Sequence, residues 1–201
     1  MPEDSFERSD LDPDPVAQLR SWLAAAAEAG VREPAAMTLA TAGADGLPSA
    51  RVVLLRGIDE RGLTWYTHRG SLKGRDLAAN PHAALVFHWE VLERQVRVSG
   101  PVSEIDEAES ARYFATRPRL SQLSAWASAQ GQPLASWEEL AEATREVGDR
   151  YPDAVPLPPF WGGYRLRPVM LELWQARRDR MHDRFAYLRE GDGWRIERLA
   201  P

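Results

Sequence analysis

The sequence predicts an α+β protein in which mainly antiparallel strands close into a barrel with helices on its flanks. β-rich runs follow one another through residues 36–105, joined by tight turns. Helical patterns then take over through residue 151, and strand-like runs return to the C-terminus. No linker is long enough to separate two domains. Residues 15–201 therefore read as one domain behind a mobile N-terminal arm, residues 1–14.

Met1–Asp14 has no apolar periodicity, hence the arm. Asp14 is a good N-cap and Pro15 a good first helical residue. Val16, Leu19, Trp22, Leu23 and Ala26 then recur on one face, and Gly30 stops the helix. "AMTLATA" and "ARVVLLRGI" read as strands, with Asp45-Gly46 between them as a hairpin signal. "LTWYTH" follows the turn "DERG". "HAALVFHW" and "RQVRVSGPVSEI" add two strands after a short helix, "SLKGRDLAAN", that Pro81 ends. "DEAESARYFATR" has an acidic start and a basic end, as the helix dipole favours. "LSQLSAWAS" and "SWEELAEATREVGDRY" are helical as well. The proline-rich "YPDAVPLPPFWGG" leads into the closing strands "YRLRP", "VMLELWQ", "DRFAYLRE" and "GWRIERLA".

The chain of 201 residues is 44% hydrophobic and 27% charged, ordinary for a globular protein. A net charge of −5 argues against a general binder of nucleic acid or membrane surfaces, which needs a basic face; a local basic pocket stays open. The absence of cysteine removes disulfides, thiol nucleophiles and thiolate metal sites. The acidic N-terminus is unlike a secretory signal, and no apolar run is long enough to cross a bilayer, so the expected location is the cytoplasm. There is no GxGxxG, complete P-loop, HExxH or GxSxG. The spacing of the four histidines predicts no metal site.

Residues suited to phosphate are present. Ser71 opens the short helix and Lys73 follows it, combining free N–H groups with a cation; taken alone, these residues favour a plain cap with a solvated lysine. Arg51 and Arg56 bracket "VVLL" at an odd spacing, so strand alternation sends them to opposite faces, serving different pockets or edging a sheet. Tyr113 and Arg117 are four apart and share a helix face, with Ser121 just beyond Pro118; the set suits a phosphate dianion or a dipole-matched helix end. Gln95 could bond a heterocycle edge or the backbone, and Trp174 could wall a pocket or fill the core. In "RMHDRF", strand alternation places Arg180, His182 and Arg184 on one side, and a solvated turn is the alternative.

Taken in order, "RVVLLR", "WYTHRGSLKGRDLAANP", "ERQVRVSG", "YFATRPRLSQLSAWAS", "FWGGYRLRP", "LELWQ", "RMHDRF" and "IERLAP" resemble the pyridoxine/pyridoxamine 5′-phosphate oxidases. The resemblance runs from the first helix to the last residue. It implies a split β-barrel homodimer with FMN at the subunit interface. It also implies oxidation of pyridoxamine or pyridoxine 5′-phosphate to pyridoxal 5′-phosphate, with oxygen accepting the electrons to give hydrogen peroxide.

The FMN contacts it implies are Arg51, Val52, Val53, Leu54, Leu55, Arg56, Tyr66, Thr67, Lys73, Gln95, Gln130, Gly131, Trp174 and Arg184. Arg56, Tyr113, Arg117 and Ser121 match a clamp on the substrate phosphate. Arg180 and His182 match the catalytic pair over the substrate ring, and Glu33 a nearby acidic position. The chain departs from the family pattern at several points. Arg56 stands where lysine is usual, Leu72 where a basic phosphate contact is common, and Gly131 where a serine is usual. The turn after "WQ" carries arginines where a glycine-containing turn is usual. An oxidase of another ring, such as a dihydrophenazine, and a non-catalytic binder of flavin or pyridoxal 5′-phosphate are the competing readings.

Overall fold

The computed structural model describes residues 6–201. The first helix, α1 (Pro15–Glu28), starts where expected: the Asp14 carboxylate accepts the backbone N–H of Val16 at 3.0 Å. Its apolar face buries Leu19, Trp22 and Ala26 completely or nearly so. The part of the expected arm that is described, residues 6–14, lies against the barrel. Phe6 is buried between the rings of Trp22 and Phe185, with centroids 5.4 Å from each. The first five residues lie outside the described part.

Strands β1 (Ala36–Ala42) and β2 (Pro48–Leu54) form the expected hairpin, with Gly46 of its turn in the left-handed region at φ +74°. The run "ARVVLLRGI" is not one strand. It breaks after Leu54 and resumes as β3 (Gly57–Asp59). The reason lies in its hydrogen bonds. Leu55 N–H donates to Ala35 O beside β1, whereas Arg56 N–H donates to Thr64 O of β4 (Gly62–His68), so the chain crosses from one partner to another. Gly62 opens β4 at φ +135°; a Cβ there would lie 2.1 Å from Leu166 O, so no other residue fits.

The short helix α2 (Leu72–Ala79) leads to β5 (His82–Trp89) and the long β6 (Arg94–Glu104). Three helices follow, α3 (Glu107–Thr116), α4 (Arg119–Ala127) and α5 (Trp137–Arg150). The chain ends in β7 (Trp161–Leu166), β8 (Met170–Gln175), β9 (Asp183–Glu190) and β10 (Gly193–Arg198). β7 begins three residues earlier than "YRLRP", because Trp161 and the two glycines already pair with β4.

Every strand pairing is antiparallel. The main path runs β10-β9-β8-β6-β5-β1-β2, while β7 joins β6 to β4. The sheet curls because β6 serves two sides: Arg94–Ser99 pairs with β8, and Val102–Glu104 with β7. Leu39, Leu85, Phe87, Val96, Leu171, Leu173 and Tyr187 fill the inside with α1 against them, giving a split barrel. A smaller cluster of Phe114, Val155 and Trp161 sits beneath α3–α5. Among the described residues no helix is long and apolar enough to cross a membrane.

Asp14→Ala removes the cap of α1 and should cost about 1 kcal/mol. A urea unfolding midpoint lowered at unchanged slope checks this.

Candidate functional site

A cleft of about 720 Å³ opens beside β2, the last strand of the sheet path. Arg51, Val52, Val53 and Leu54 line one side, with Arg56 just beyond the strand. Tyr66, Thr67 and His68 of β4 and Lys73 of α2 form the base. Tyr113, Arg117, Ser124, Ser128, Gln130 and Trp161 complete it. Arg51 and Arg56 therefore face one cleft, contrary to the alternation argument, because the strand ends at Leu54 before alternation can carry Arg56 away.

Lys73 is only 8% exposed, and its ammonium donates to Thr67 Oγ1 (3.2 Å), Ser71 Oγ (3.1 Å) and Gln130 Oε1 (3.3 Å). All three acceptors are neutral. Burial, and then the charge of Arg51, push the Lys73 ammonium below the ordinary lysine range. Arg51 donates to Thr41, Ser49 and the Leu39 carbonyl, with Asp76 4.0 Å away. Ser71 is the N-cap of α2, yet its side chain caps nothing and accepts from Lys73 instead. The helix thus presents uncapped N–H groups beside a cation that lacks a carboxylate partner among the described residues, an arrangement suited to an anion. Leu72, the first helical residue, is half exposed and adds no charge. His68 accepts the Gly70 N–H at Nδ1 (2.9 Å), so its Nε2 carries the proton when neutral. Burial, reinforced by Lys73, lowers its pKa.

A parallel stack forms the other wall. The rings of Tyr66 and Tyr113 lie 3.9 Å apart at 12°, and Trp161 stacks on Tyr66 at 5.4 Å and 8°. The Arg117 guanidinium sits 4.8 Å from the Trp161 centroid. Its Nη1 is buried with no hydrogen-bond partner among the described residues. Arg117 lies just past the end of α3, so its place beside Tyr113 comes from the shared stack rather than helical spacing. Burial lowers its pKa, with Tyr113 opposing, but a guanidinium keeps its charge.

The remaining candidates gather elsewhere. Gln95, Trp174 and Arg184 are direct partners across β6, β8 and β9 and form one row. Arg184 is held by buried Glu172 at 2.8 Å and by the Ala200 carbonyl. The His182 ring packs on Trp174 at 4.6 Å, and its Nδ1 accepts the Arg177 N–H. His182 lines a second cleft, of about 730 Å³, with Arg177, Asp183 and Arg198.

The alternation expected for "RMHDRF" does not hold. β9 begins at Asp183, and Arg180 stands in a turn in which Asp179 (φ +57°) and Arg180 (φ +60°) are left-handed. Leu55 is buried in the core, and Gly131 and Ser121 lie next to cleft residues without lining it. Glu33 lies outside both clefts. Trp161, His68, Ser124 and Ser128 line the first cleft without having been singled out. "FWGG" carried a signal for Trp161, since its two glycines make room for Arg69 and Tyr66 beside it.

Two family models match the chain. Residues 23–151 match "Pyridoxamine 5'-phosphate oxidase", and residues 161–201 match "Pyridoxine 5'-phosphate oxidase C-terminal dimerisation region". A pyridoxine/pyridoxamine 5′-phosphate oxidase of Rubrobacter xylanophilus is 56% identical over 94% of this chain and 88% of its own. One from Cupriavidus taiwanensis is 52% identical over 98% and 93%. Among solved structures, PhzG from Burkholderia lata 383, in complex with tetrahydrophenazine-1-carboxylic acid, is 36% identical with a TM-score of 0.93, covering 99% of this chain and 98% of that one. A pyridoxamine 5′-phosphate oxidase-related, FMN-binding protein from Nostoc punctiforme shares the fold at 20% identity and a TM-score of 0.77, covering 95% and 100%.

Lys73 has a pKa depressed by folding, so the unfolded chain holds its proton more tightly and the buried charge is a penalty throughout neutral pH. Lys73→Met should therefore leave the ligand-free protein at least as stable as the parent. Inorganic phosphate at 100 times its Kd should stabilise the parent by about 2.7 kcal/mol and the variant by much less. Thermal unfolding with and without phosphate checks both.

Proposed function

This chain belongs to the pyridoxamine 5′-phosphate oxidase family, and we propose that it oxidises pyridoxamine 5′-phosphate or pyridoxine 5′-phosphate to pyridoxal 5′-phosphate, with FMN as cofactor and oxygen as electron acceptor, releasing hydrogen peroxide. The observation that carries this reading is a single cleft with two separate cations, Lys73 and Arg117, that have no carboxylate partner among the described residues.

The residues present fit FMN. Lys73, Arg51 and the uncapped start of α2 would hold its phosphate, and Val52, Val53 and Leu54, which line the same cleft, would contact the rest of it. Thr67 and Gln130, already hydrogen-bonded to each other at 3.0 Å, fix Lys73 and the nearby rim. Leu55 backs this strand from the core, and Gly131 extends the rim beyond Gln130. FMN supplies the two-electron oxidation and the return of electrons to oxygen. The protein binds, orients and excludes water.

The second phosphate belongs to the substrate. Arg117 presents its unpartnered Nη1, Arg56 is exposed at the end of β2, and Tyr113 adds a hydroxyl from the stack. Ser121, which the resemblance assigns to this clamp, does not line the cleft; Ser124, one helical turn later, does. Arginine in place of lysine at position 56 keeps the charge and offers a fork. Tetrahydrophenazine-1-carboxylic acid, bound to the Burkholderia relative, carries no phosphate, so a second phosphate clamp favours the B6 substrate here.

Arg180 and His182 are proposed to meet the substrate ring. With Nδ1 occupied by the Arg177 N–H, neutral His182 carries its proton on Nε2 and can donate to a ring or phosphate oxygen. Arg180 has no ion-pair partner among the described residues, leaving its charge for the substrate, where it stabilises charge developing during oxidation. Within one chain the two clefts share no lining residue. Both residues fall in the segment matching the dimerisation region. We therefore propose a homodimer in which each copy's Gln95–Trp174–Arg184 row and His182 turn face the other copy's cleft, with FMN between them.

The test is conversion of pyridoxine 5′-phosphate by the FMN-loaded protein in air; no aldehyde at any enzyme concentration overturns the reading. Arg117→Met should raise KM by about 10–100-fold, the value of about 1.5–3 kcal/mol for a hydrogen bond to a charged group, with FMN retained. Arg180→Ala and His182→Ala should impair turnover far more than FMN retention, whereas Arg184→Ala should loosen FMN; flavin released on gel filtration separates the two classes.

A further inference from the structure

We propose that Asp183 is a positioning residue that ties the N-terminal segment to the turn carrying Arg180 and His182, so that docking of Phe6 sets the pose of His182. The proposal rests on the reading of His182 as a substrate contact.

Asp183 is 2% exposed, and its carboxylate collects donors from three separated parts of the chain. Oδ2 accepts from the Phe6 backbone N–H (3.2 Å) and Arg177 Nη1 (3.3 Å), and Oδ1 accepts from Arg198 Nη1 (2.9 Å). A buried carboxylate depends on its partners, since losing one leaves charge uncompensated. Arg198 continues outward to Glu7 Oε2 at 2.6 Å and lies 4.5 Å over the Phe185 ring, the same ring that Phe6 meets edge-on. The N-terminal segment is thus held both by its aromatic side chain and by its backbone.

On the other side of the network, Arg177 has two roles. Its guanidinium binds Asp183, and its backbone N–H binds His182 Nδ1 at 3.2 Å. The residues between, Asp179 and Arg180, are both left-handed without being glycine. Aspartate tolerates that region but arginine rarely adopts it, so the turn at Arg180 needs support from its ends. Those ends are Arg177 and Asp183. Undocking Phe6 takes a donor from Asp183 and exposes the Arg198 pair, which loosens the one carboxylate closing the turn. Segment docking and substrate binding are then linked, each favouring the other.

The test uses the full-length, FMN-loaded protein. Phe6→Ala should raise KM for pyridoxine 5′-phosphate about ten-fold while flavin affinity stays within about two-fold, and Phe6→Leu should restore part of the loss. In a His182→Ala background, Phe6→Ala should add less than about two-fold, since the pathway ends at that ring. Asp183→Asn should behave like Phe6→Ala; if it does not fold, Phe6→Ala carries the test. Exchange of the Arg177 amide, read by NMR, should accelerate in Phe6→Ala while the Val98 amide of β6 does not change. An equal penalty in both backgrounds, or unchanged KM and unchanged Arg177 exchange, overturns the proposal. Should the parent fail to turn over the substrate, the functional reading falls, and the Arg177 exchange still decides whether the coupling exists.

Discussion

The architecture depends on the continuity of β6. One strand hydrogen-bonds to β5 along most of its length, to β8 over its first half and to β7 over its last residues. β6 passes from β8 to β7 along its length, and with the twist natural to a strand the sheet curls around the Leu39–Leu85–Phe87 core. Both groups of candidate residues follow from that twist. The first half of β6 sets Gln95 against Trp174 and, through β8, Arg184. The last residues fix β7, which begins at Trp161 and carries the wall against which Arg117 lies. Barrel curvature and site geometry are therefore one constraint.

Electrostatics explains how an acidic chain can hold anions. The net charge is −5, yet the cleft places Lys73 among neutral oxygens and leaves Arg117 with an unpartnered donor among the described residues. Several cations elsewhere are paired: Arg97 and Arg184 share Glu172, and Arg177 and Arg198 share Asp183. Burial among neutral acceptors, with no carboxylate partner among the described residues, is what sets Lys73 apart. A buried ammonium without a counter-charge weakens the empty protein, and a bound phosphate supplies the missing charge.

Much of this was legible in the sequence where local chemistry decides. Asp14-Pro15 fixed the start of α1 and Asp45-Gly46 the first hairpin. The failures fall where tertiary hydrogen bonds override local pattern. Alternation could not reveal that Arg56 sits past a strand end, because the break depends on Thr64 of another strand. Nor could it place Arg180, whose left-handed turn is imposed through Asp183 by residues from both ends of the chain. Ser124 and Ser128 were missed because serines in and just after a helix look alike until the neighbouring wall is known. The assignment of roles came from the ordered resemblance; spacing alone left a solvated turn and a helix end open.

In the proposed function one cleft binds two phosphates, that of the flavin and that of the molecule it oxidises. Anaerobic stopped-flow reduction of the bound FMN tests it most directly. Pyridoxine 5′-phosphate should bleach the flavin in a saturable fast phase, while dephosphorylated pyridoxine at equal concentration should leave it oxidised. Equal bleaching by the two, or bleaching by neither, would contradict the account.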